Sequence, residues 1–281
     1  MVDSIMTKSH KVQVDEHFLI SGCAVSRIEL KITESLATIS MNRAEKKNAF
    51  DQEMWKKLED ISQEIAANSN LKIVTVESSS AGIFSAGADV SEYREHAGDA
   101  EWAAQSQAVV AKAIESVRAI PIPTIAVIDG PCFGGGAALA VACDFRVAST
   151  NSTFAITPAK LGMVYPYSDI VALTDLVGPA IAKQLLFTSR TFSAAEASQW
   201  GYVDELTSSS EIESIRDKWI SLILANSSSS VRSMKTEIEL VLSGQREDSE
   251  QTLRFVKDAM VSPDHAEGIA AFLEKRTAKF Q

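Results

Sequence analysis

Two short stretches of small residues, Phe84 to Asp89 and Gly134 to Gly136, have the composition to do chemistry through the main chain. In the first, Phe-Ser-Ala-Gly-Ala-Asp, Gly87 permits backbone angles that other residues resist. The small side chains of Ser85, Ala86 and Ala88 let a ligand approach the backbone there. In the second, three glycines open a run of alanines. Unpaired N–H groups then gather at the positive end of a helix dipole, where an anion or a developing oxyanion is favoured. Each stretch follows a strand-like apolar segment. One N–H from each, aimed at a single carbonyl oxygen, would polarise a thioester toward an enolate. Neither is a nucleotide fingerprint, since no Gly-Lys-Ser/Thr follows the triplet and Gly-x-Gly-x-x-Gly is absent. Tight helix packing is the competing use of such glycines.

The elements that must position these stretches alternate along the chain. Leu36 to Met41 alternates like a strand and ends at Asn42–Arg43. Met54, Leu58, Ile61 and Ile65 recur at helical spacing and predict an amphipathic helix over about 51–67. Leu71 to Val76 reads as a buried strand, followed by a loop through Ser78–Gly82. A helix with Trp102, Val109, Val110, Ala113 and Val117 on its apolar side is stopped by Pro121 and Pro123. The strand Thr124–Ile128, a small-residue helix at Ala137–Cys143 and a strand at Phe145–Ala148 complete the pattern. This order predicts a layered α/β core built from one repeating unit. From about Thr207, Ser-rich turns at Ser208–Ser210 and Ser227–Ser230 separate three expected helices, with no strand signal to the end. The expected organisation is an N-terminal extension (1–27), a core (28–205) and a helical C-terminal region (206–281).

Composition narrows the partners. The chain has 281 residues, 46% hydrophobic and 23% charged, with 27 basic against 37 acidic side chains and a formal charge of −10. That balance argues against binding nucleic acid or lying on an anionic membrane, since both need a broad positive field. It leaves room for an anionic small molecule held by a few lysines or backbone N–H groups. The three cysteines, Cys23, Cys132 and Cys143, are odd in number and form no Cys-x-x-Cys pair, so free thiols in a reducing compartment are expected. No apolar run is read as reaching the roughly 18–20 residues of a membrane span. The first 20 residues hold Lys8 and Lys11 among Asp3, Asp15 and Glu16 without an apolar core, so no signal segment is read there and a cytoplasmic location is expected. His10, His17, His96 and His265 are scattered and read as exposed rather than as a metal set.

Several motifs together resemble the crotonase (enoyl-CoA hydratase/isomerase) superfamily. They are Ile39 to Phe50 (Ile-Ser-Met-Asn-Arg-Ala-Glu-Lys-Lys-Asn-Ala-Phe), Phe84 to Asp89, Asp129 to Gly136 (Asp-Gly-Pro-Cys-Phe-Gly-Gly-Gly), Ala142-Cys143-Asp144, Phe154, Leu161-Gly162 and Gly268 to Arg276. They run in the family's order from about residue 28 to 280. The resemblance implies a spiral of ββα units with a C-terminal helical trimerisation region, assembled as a homo-trimer or a hexamer. It implies an acyl-CoA substrate, with coenzyme A as part of it and no prosthetic group. By motif position the oxyanion donors would be the N–H groups of Ala88 and Gly135. Ser85, Ala86 and Asp89 would lie along the coenzyme A, and Lys46 or Lys47 would reach its phosphates, although the usual basic position is Glu45 here. Phe272 and Lys275 match positions that contact coenzyme A, often from a neighbouring subunit.

The departures from the family pattern bear on the reaction. Hydratases of the family place water with two glutamates, and here those positions hold Ala138 and Pro158, which cannot transfer protons. Thr157 to Tyr167 resembles a subgroup that includes methylmalonyl-CoA decarboxylase, in which a tyrosine stands at the position of Tyr165. That decarboxylase keeps a glutamate at Ala138 and a histidine at Ala88, so the likeness is local. Tyr165 is the first candidate acid or hydrogen-bond donor, with Tyr167 and Asp169 next, while Tyr93 lies in a loop expected to line the acyl pocket. Trp102 and Trp200 are read as core or interface. Three functions remain open: an enoyl-CoA hydratase/isomerase-like enzyme, a CoA-thioester decarboxylase or isomerase, and a non-catalytic acyl-CoA-binding or scaffold member.

Overall fold

The computed structural model describes residues 26–280. Cys23, His10, His17 and nearly all of the expected N-terminal extension lie outside the described residues. In chain order, β1 (Ile28–Thr33) pairs antiparallel with β2 (Leu36–Met41), and α1 (Gln52–Ala67) leads to β3 (Ile73–Ser78). Next come α2 (Val90–Glu95), α3 (Ala100–Arg118), β4 (Thr124–Ile128), β5 (Pro131–Phe133) and α4 (Gly135–Ala142). They are followed by β6 (Phe145–Ser149), β7 (Thr153–Ala155), α5 (Tyr167–Thr188), β8 (Phe192–Ser193), α6 (Ala194–Gln199) and β9 (Glu205–Thr207). The large sheet has the order β1-β2-β3-β4-β6-β9 and is parallel from β2 onward. A second sheet joins β5, β7 and β8.

The repeat is a spiral. After each of β2, β3, β4 and β6 the chain contributes a short extended piece to the second layer and then a helix. Single bridges between Phe50 and Ala88 and between Ser85 and Cys132 carry that layer back to the first two turns. Pieces of two or three residues are too short to show a strand period, so the sequence reading passes over them. Aspartates start the helices around the site. Asp51, Asp89 and Asp99 accept from the backbone N–H groups of Met54, Ser91 and Trp102 and so cap α1, α2 and α3. The segment expected as a loop around Tyr93 is therefore partly helical, because Asp89 nucleates α2.

Both faces of β4 are covered, which is why all five of its residues are apolar or buried. Ile125 and Val127 pack with Ile73 and Val147 under α7 (Ile212–Leu224). Ala126 and Ile128 face the main core with Met54, Trp55 and Leu58 of α1. Each fully buried side chain of this size contributes about 1.5–3 kcal/mol. Arg146 closes the last turn of the spiral: Nε donates to Tyr202 O at 2.7 Å, Nη1 to Cys143 O at 2.8 Å, and Nη2 pairs with Asp204 at 2.8 Å.

Beyond α7 come α8 (Ser228–Leu242), α9 (Glu250–Met260) and α10 (Pro263–Glu274). The described C-terminal region thus has four helices where three were expected. Ser262, as N-cap to His265 N, and Pro263 at the first helical position break what reads as one segment into α9 and α10. One more expectation is corrected: α5 is long and apolar enough to cross a membrane by length and composition. It is interrupted at Gly178 (φ 74°) before Pro179, and its buried Asp169 pairs with Arg118 of α3.

Candidate active site

The first small-residue stretch is held by its own main chain. Phe84 N and Ser85 N donate to Pro131 O, Ala86 N to Lys47 O, and Asp89 N to Phe50 O. Gly87 N donates to Ser85 Oγ, and Ser85 Oγ in turn donates to Asn48 O at 2.8 Å. Asn48 Nδ2 donates to Phe84 O at 2.9 Å and to Ser78 Oγ at 2.8 Å, fixing the loop from the other side. Between Phe84 and Asp89 every N–H is thereby engaged except that of Ala88, which has no acceptor among the described residues. In the second stretch Phe133 N donates to Ser85 O and Gly134 N to Ala155 O, while Ala138 N returns to Gly134 O. Gly135 N, at the start of α4, likewise has no acceptor among the described residues.

The two stretches touch. A Cβ placed on Gly87 would lie 2.9 Å from Gly135 N and 2.7 Å from Phe133 O, and one on Gly135 would lie 3.5 Å from Ala88 N. A Cβ on Gly136 would fall 2.7 Å from Ser85 Cβ. Glycine is required here by close approach, and at Gly87 by its positive φ of 93° as well. The open N–H groups of Ala88 and Gly135, one on a helix N-terminus, are thus brought beside each other. A carbonyl oxygen set between them gains two hydrogen bonds that strengthen as negative charge grows on it.

The remaining candidates divide into scaffold, rim and distant groups. Ser85 is fully buried, and its hydroxyl is spent on the loop. Asp89 caps α2 and pairs with Arg43 Nη1 at 3.0 Å. Burial raises its pKa, but hydrogen bonds from Ser91 and the Arg43 charge outweigh that and hold the carboxyl below its ordinary value. Arg43 also approaches Asp51 at 3.4 Å and donates to Ala49 O, an anchoring role the motif alone does not announce. Ala86 is exposed at the rim, next to exposed Lys46 and Lys47, whose loop accepts its N–H. Phe272 is 82% exposed on α10, and Lys275 caps that helix in a left-handed conformation. Within one chain α10 packs mainly on α9, away from the glycine pair.

At the two positions where the family's hydratases hold glutamates, Ala138 is 3% exposed on α4, and Pro158 begins a 3-10 turn (Pro158–Leu161). Thr157 Oγ1 lies 3.2 Å from the Cβ position on Gly134, so this turn abuts the glycine triplet. No carboxylate stands at either position. Tyr165 follows on the same segment and is 8% exposed, whereas Tyr167 is 81% exposed. Burial pushes the Tyr165 phenol well above its ordinary value, reinforced by Asp169 and Cys132 and only partly offset by Arg118. The hydroxyl therefore keeps its proton. Burial also raises the Asp169 carboxyl, against the pull of Arg118 Nη2 at 3.3 Å. Tyr93, His96 and Trp102 form an aromatic cluster over α2 and the start of α3, with His96 stacked on Trp102 at 4.4 Å. Trp55, which is not among the apolar positions read from the sequence of α1, packs against Gly135.

Known proteins share this arrangement of chain. Residues 31–281 match the family model described as Enoyl-CoA hydratase/isomerase. The crotonyl-CoA hydratase of Syntrophomonas wolfei subsp. wolfei is 30% identical over 261 residues, covering 92% of this chain and 98% of that protein. Among solved structures, an enoyl-CoA hydratase/carnithine racemase from Magnetospirillum magneticum aligns with a TM-score of 0.86 at 29% identity, covering 92% of this chain and 96% of the other. An enoyl-CoA hydratase from Bacillus anthracis gives a TM-score of 0.82 at 28% identity, covering 91% and 99%.

Proposed function

The chain belongs to the enoyl-CoA hydratase/isomerase family, and from that premise we propose that it transforms acyl-CoA thioesters by stabilising a thioester enolate between Ala88 N–H and Gly135 N–H. The observation that carries this reading is the pair of acceptor-free N–H groups on two loops in contact. Ala86, Lys46 and Lys47 would border the coenzyme A. Phe272 and Lys275, remote in one chain, would meet the coenzyme A of a neighbouring subunit. Apolar stripes on α8 (Met234, Ile238, Val241) and α9 (Leu253, Val256, Met260) are at least half exposed, which supports assembly as a trimer or a hexamer. Light scattering then gives a mass three or six times that of the 30.4 kDa chain.

Ala138 and Pro158 favour decarboxylation over two-glutamate hydration, since neither side chain can carry a proton. In decarboxylation the bond to the carboxylate breaks and its electron pair enters the enolate. Carbon dioxide leaves, and the α carbon takes a proton, for which Tyr165 is the first candidate donor. None of this needs a strong base. The test is turnover of crotonyl-, malonyl- and methylmalonyl-CoA by the purified protein and by Ala88→Pro. Product from the parent and none from a variant with an unchanged melting temperature supports the reading. Binding of coenzyme A without turnover of any of these would favour a non-catalytic member.

A further inference from the structure

The two loops that carry the proposed donors are joined at Ser85. The residue is 0% exposed, and its hydroxyl makes both of its hydrogen bonds inside the protein. Its backbone is registered on β5: Ser85 N donates to Pro131 O at 3.0 Å, and Phe133 N donates to Ser85 O at 2.9 Å. Phe133 stands two residues ahead of Gly135. The side chain of Ser85 lies against the residue after that donor, since a Cβ on Gly136 would fall 3.0 Å from Ser85 Oγ. The same hydroxyl takes a hydrogen bond from Gly87 N at 3.1 Å and gives one to Asn48 O at 2.8 Å. Asn48 is itself 0% exposed, and its Oδ1 accepts from Arg43 N at 2.8 Å.

Ala88 N–H and Gly87 O are the two ends of one planar trans peptide and point in opposite directions. Phe50 N–H holds Gly87 O at 2.7 Å, so the Ala88 N–H faces away from Phe50. The preceding peptide carries Gly87 N–H, and the hydroxyl of Ser85 holds it. Between these two peptides stands only Gly87, the residue type with the widest choice of backbone angles, at a φ of 93°. Holding the peptide on each side fixes that choice. A hydroxyl suits the place because it accepts from an amide N–H and donates to a carbonyl at the same time. We propose, on the enolate reading above, that Ser85 is a positioning residue for the oxyanion pair. Its hydroxyl sets the direction of Ala88 N–H through Gly87, and its side chain sets the spacing to Gly135 through Gly136.

The test reads the carbonyl directly, by isotope-edited infrared spectra of butyryl-CoA labelled with 13C at the thioester carbon. On binding to the parent, the carbonyl band moves to lower wavenumber, because two hydrogen bonds polarise the C=O. In Ser85→Ala about half of that shift is lost. Turnover of whichever of crotonyl-, malonyl- and methylmalonyl-CoA the parent accepts falls about ten-fold in kcat, with KM little changed. Spectra taken well below both melting temperatures are indifferent to a mere loss of stability. Should Ser85→Ala not fold, Ser85→Cys keeps the shape, weakens both hydrogen bonds and is read in the same way. A folded variant with the parental band position, whatever its rate, overturns the assignment. A parent that binds no butyryl-CoA, or binds it without moving the band, removes the enolate reading itself and this inference with it.

Discussion

Gly87 and Gly135 lie so close that a methyl group on the first would sit 2.9 Å from the amide nitrogen of the second. Gly87→Ala therefore strikes the proposed donor pair twice, by crowding Gly135 N and by straining a backbone at φ 93°. Turnover is expected to fall about 100-fold or more, the usual effect of losing one such donor, while the protein still binds free coenzyme A. Steady-state rates with a parallel melting curve check this. A folded variant with a parental rate would show that Gly135 N–H has no part in the reaction.

Tyr165 is expected to act as a protonated donor. Tyr165→Phe removes only the hydroxyl and should lower the rate about 100-fold with little change in thermal stability. Burial holds this phenol well above the ordinary 10.0, so the parental rate stays level as pH rises through that value. A fall in rate centred there, absent from the variant, would mean that the phenol ionises normally.

Arg43 sits between two buried carboxylates, 3.0 Å from Asp89 and 3.4 Å from Asp51. Removing it with Arg43→Ala leaves both acids without this partner, although Arg27 still pairs with Asp51. A loss of about 3 kcal/mol in denaturant unfolding is expected. The pH dependence carries the same signature. Asp89 has a folded-state pKa below its ordinary 3.8, so its contribution is fully present above that value and is lost as pH falls through the folded-state pKa. The acid limb of the stability curve should be shallower in the variant, and an unchanged limb would assign the Asp89 shift to Ser91 alone.

Cys132 and Cys143 are both buried and free. Burial raises the Cys132 thiol well above 9.0, and burial together with the Asp144 charge pushes Cys143 up to about 12. In a Cys23→Ser protein at pH 8, a thiol-reactive disulfide reagent should titrate neither until denaturant is added, and then both. Rapid labelling of the native protein would contradict the packing of β5 and α4.

Much of the spiral was legible because its large-sheet strands and amphipathic helices carry clear periods. Leu36–Met41 and Thr124–Ile128 match the expected strands in full, and α1 begins one residue after its capping Asp51. The second-layer pieces were illegible because three residues such as Pro131–Phe133 take their conformation from neighbouring turns, through pairings that only the folded chain contains. The glycine pair could be found from residue type and order alone. The spent hydroxyl of Ser85, the capping role of Asp89 and the packing of Trp55 on Gly135 could not, since each depends on who the neighbour is. Ser-rich turns marked two helix boundaries in the C-terminal region, but the break at Ser262–Pro263 lies between segments of continuous helical pattern.

The division of labour along the spiral has an evolutionary consequence. The open N–H groups belong to the backbone of its second and third turns, locked by other backbone atoms and by Asn48 and Ser85, so replacement of other side chains leaves them largely untouched. Position 138 on α4 and positions 158 and 165 in the segment after β7 make none of the hydrogen bonds by which side chains hold that lock, which come from Asn48 and Ser85. Under the proposed function, mutation there can exchange one proton-handling group for another, or delete it, while the two proposed oxyanion donors survive. A scaffold wired in this way can change its reaction without first losing its grip on the intermediate.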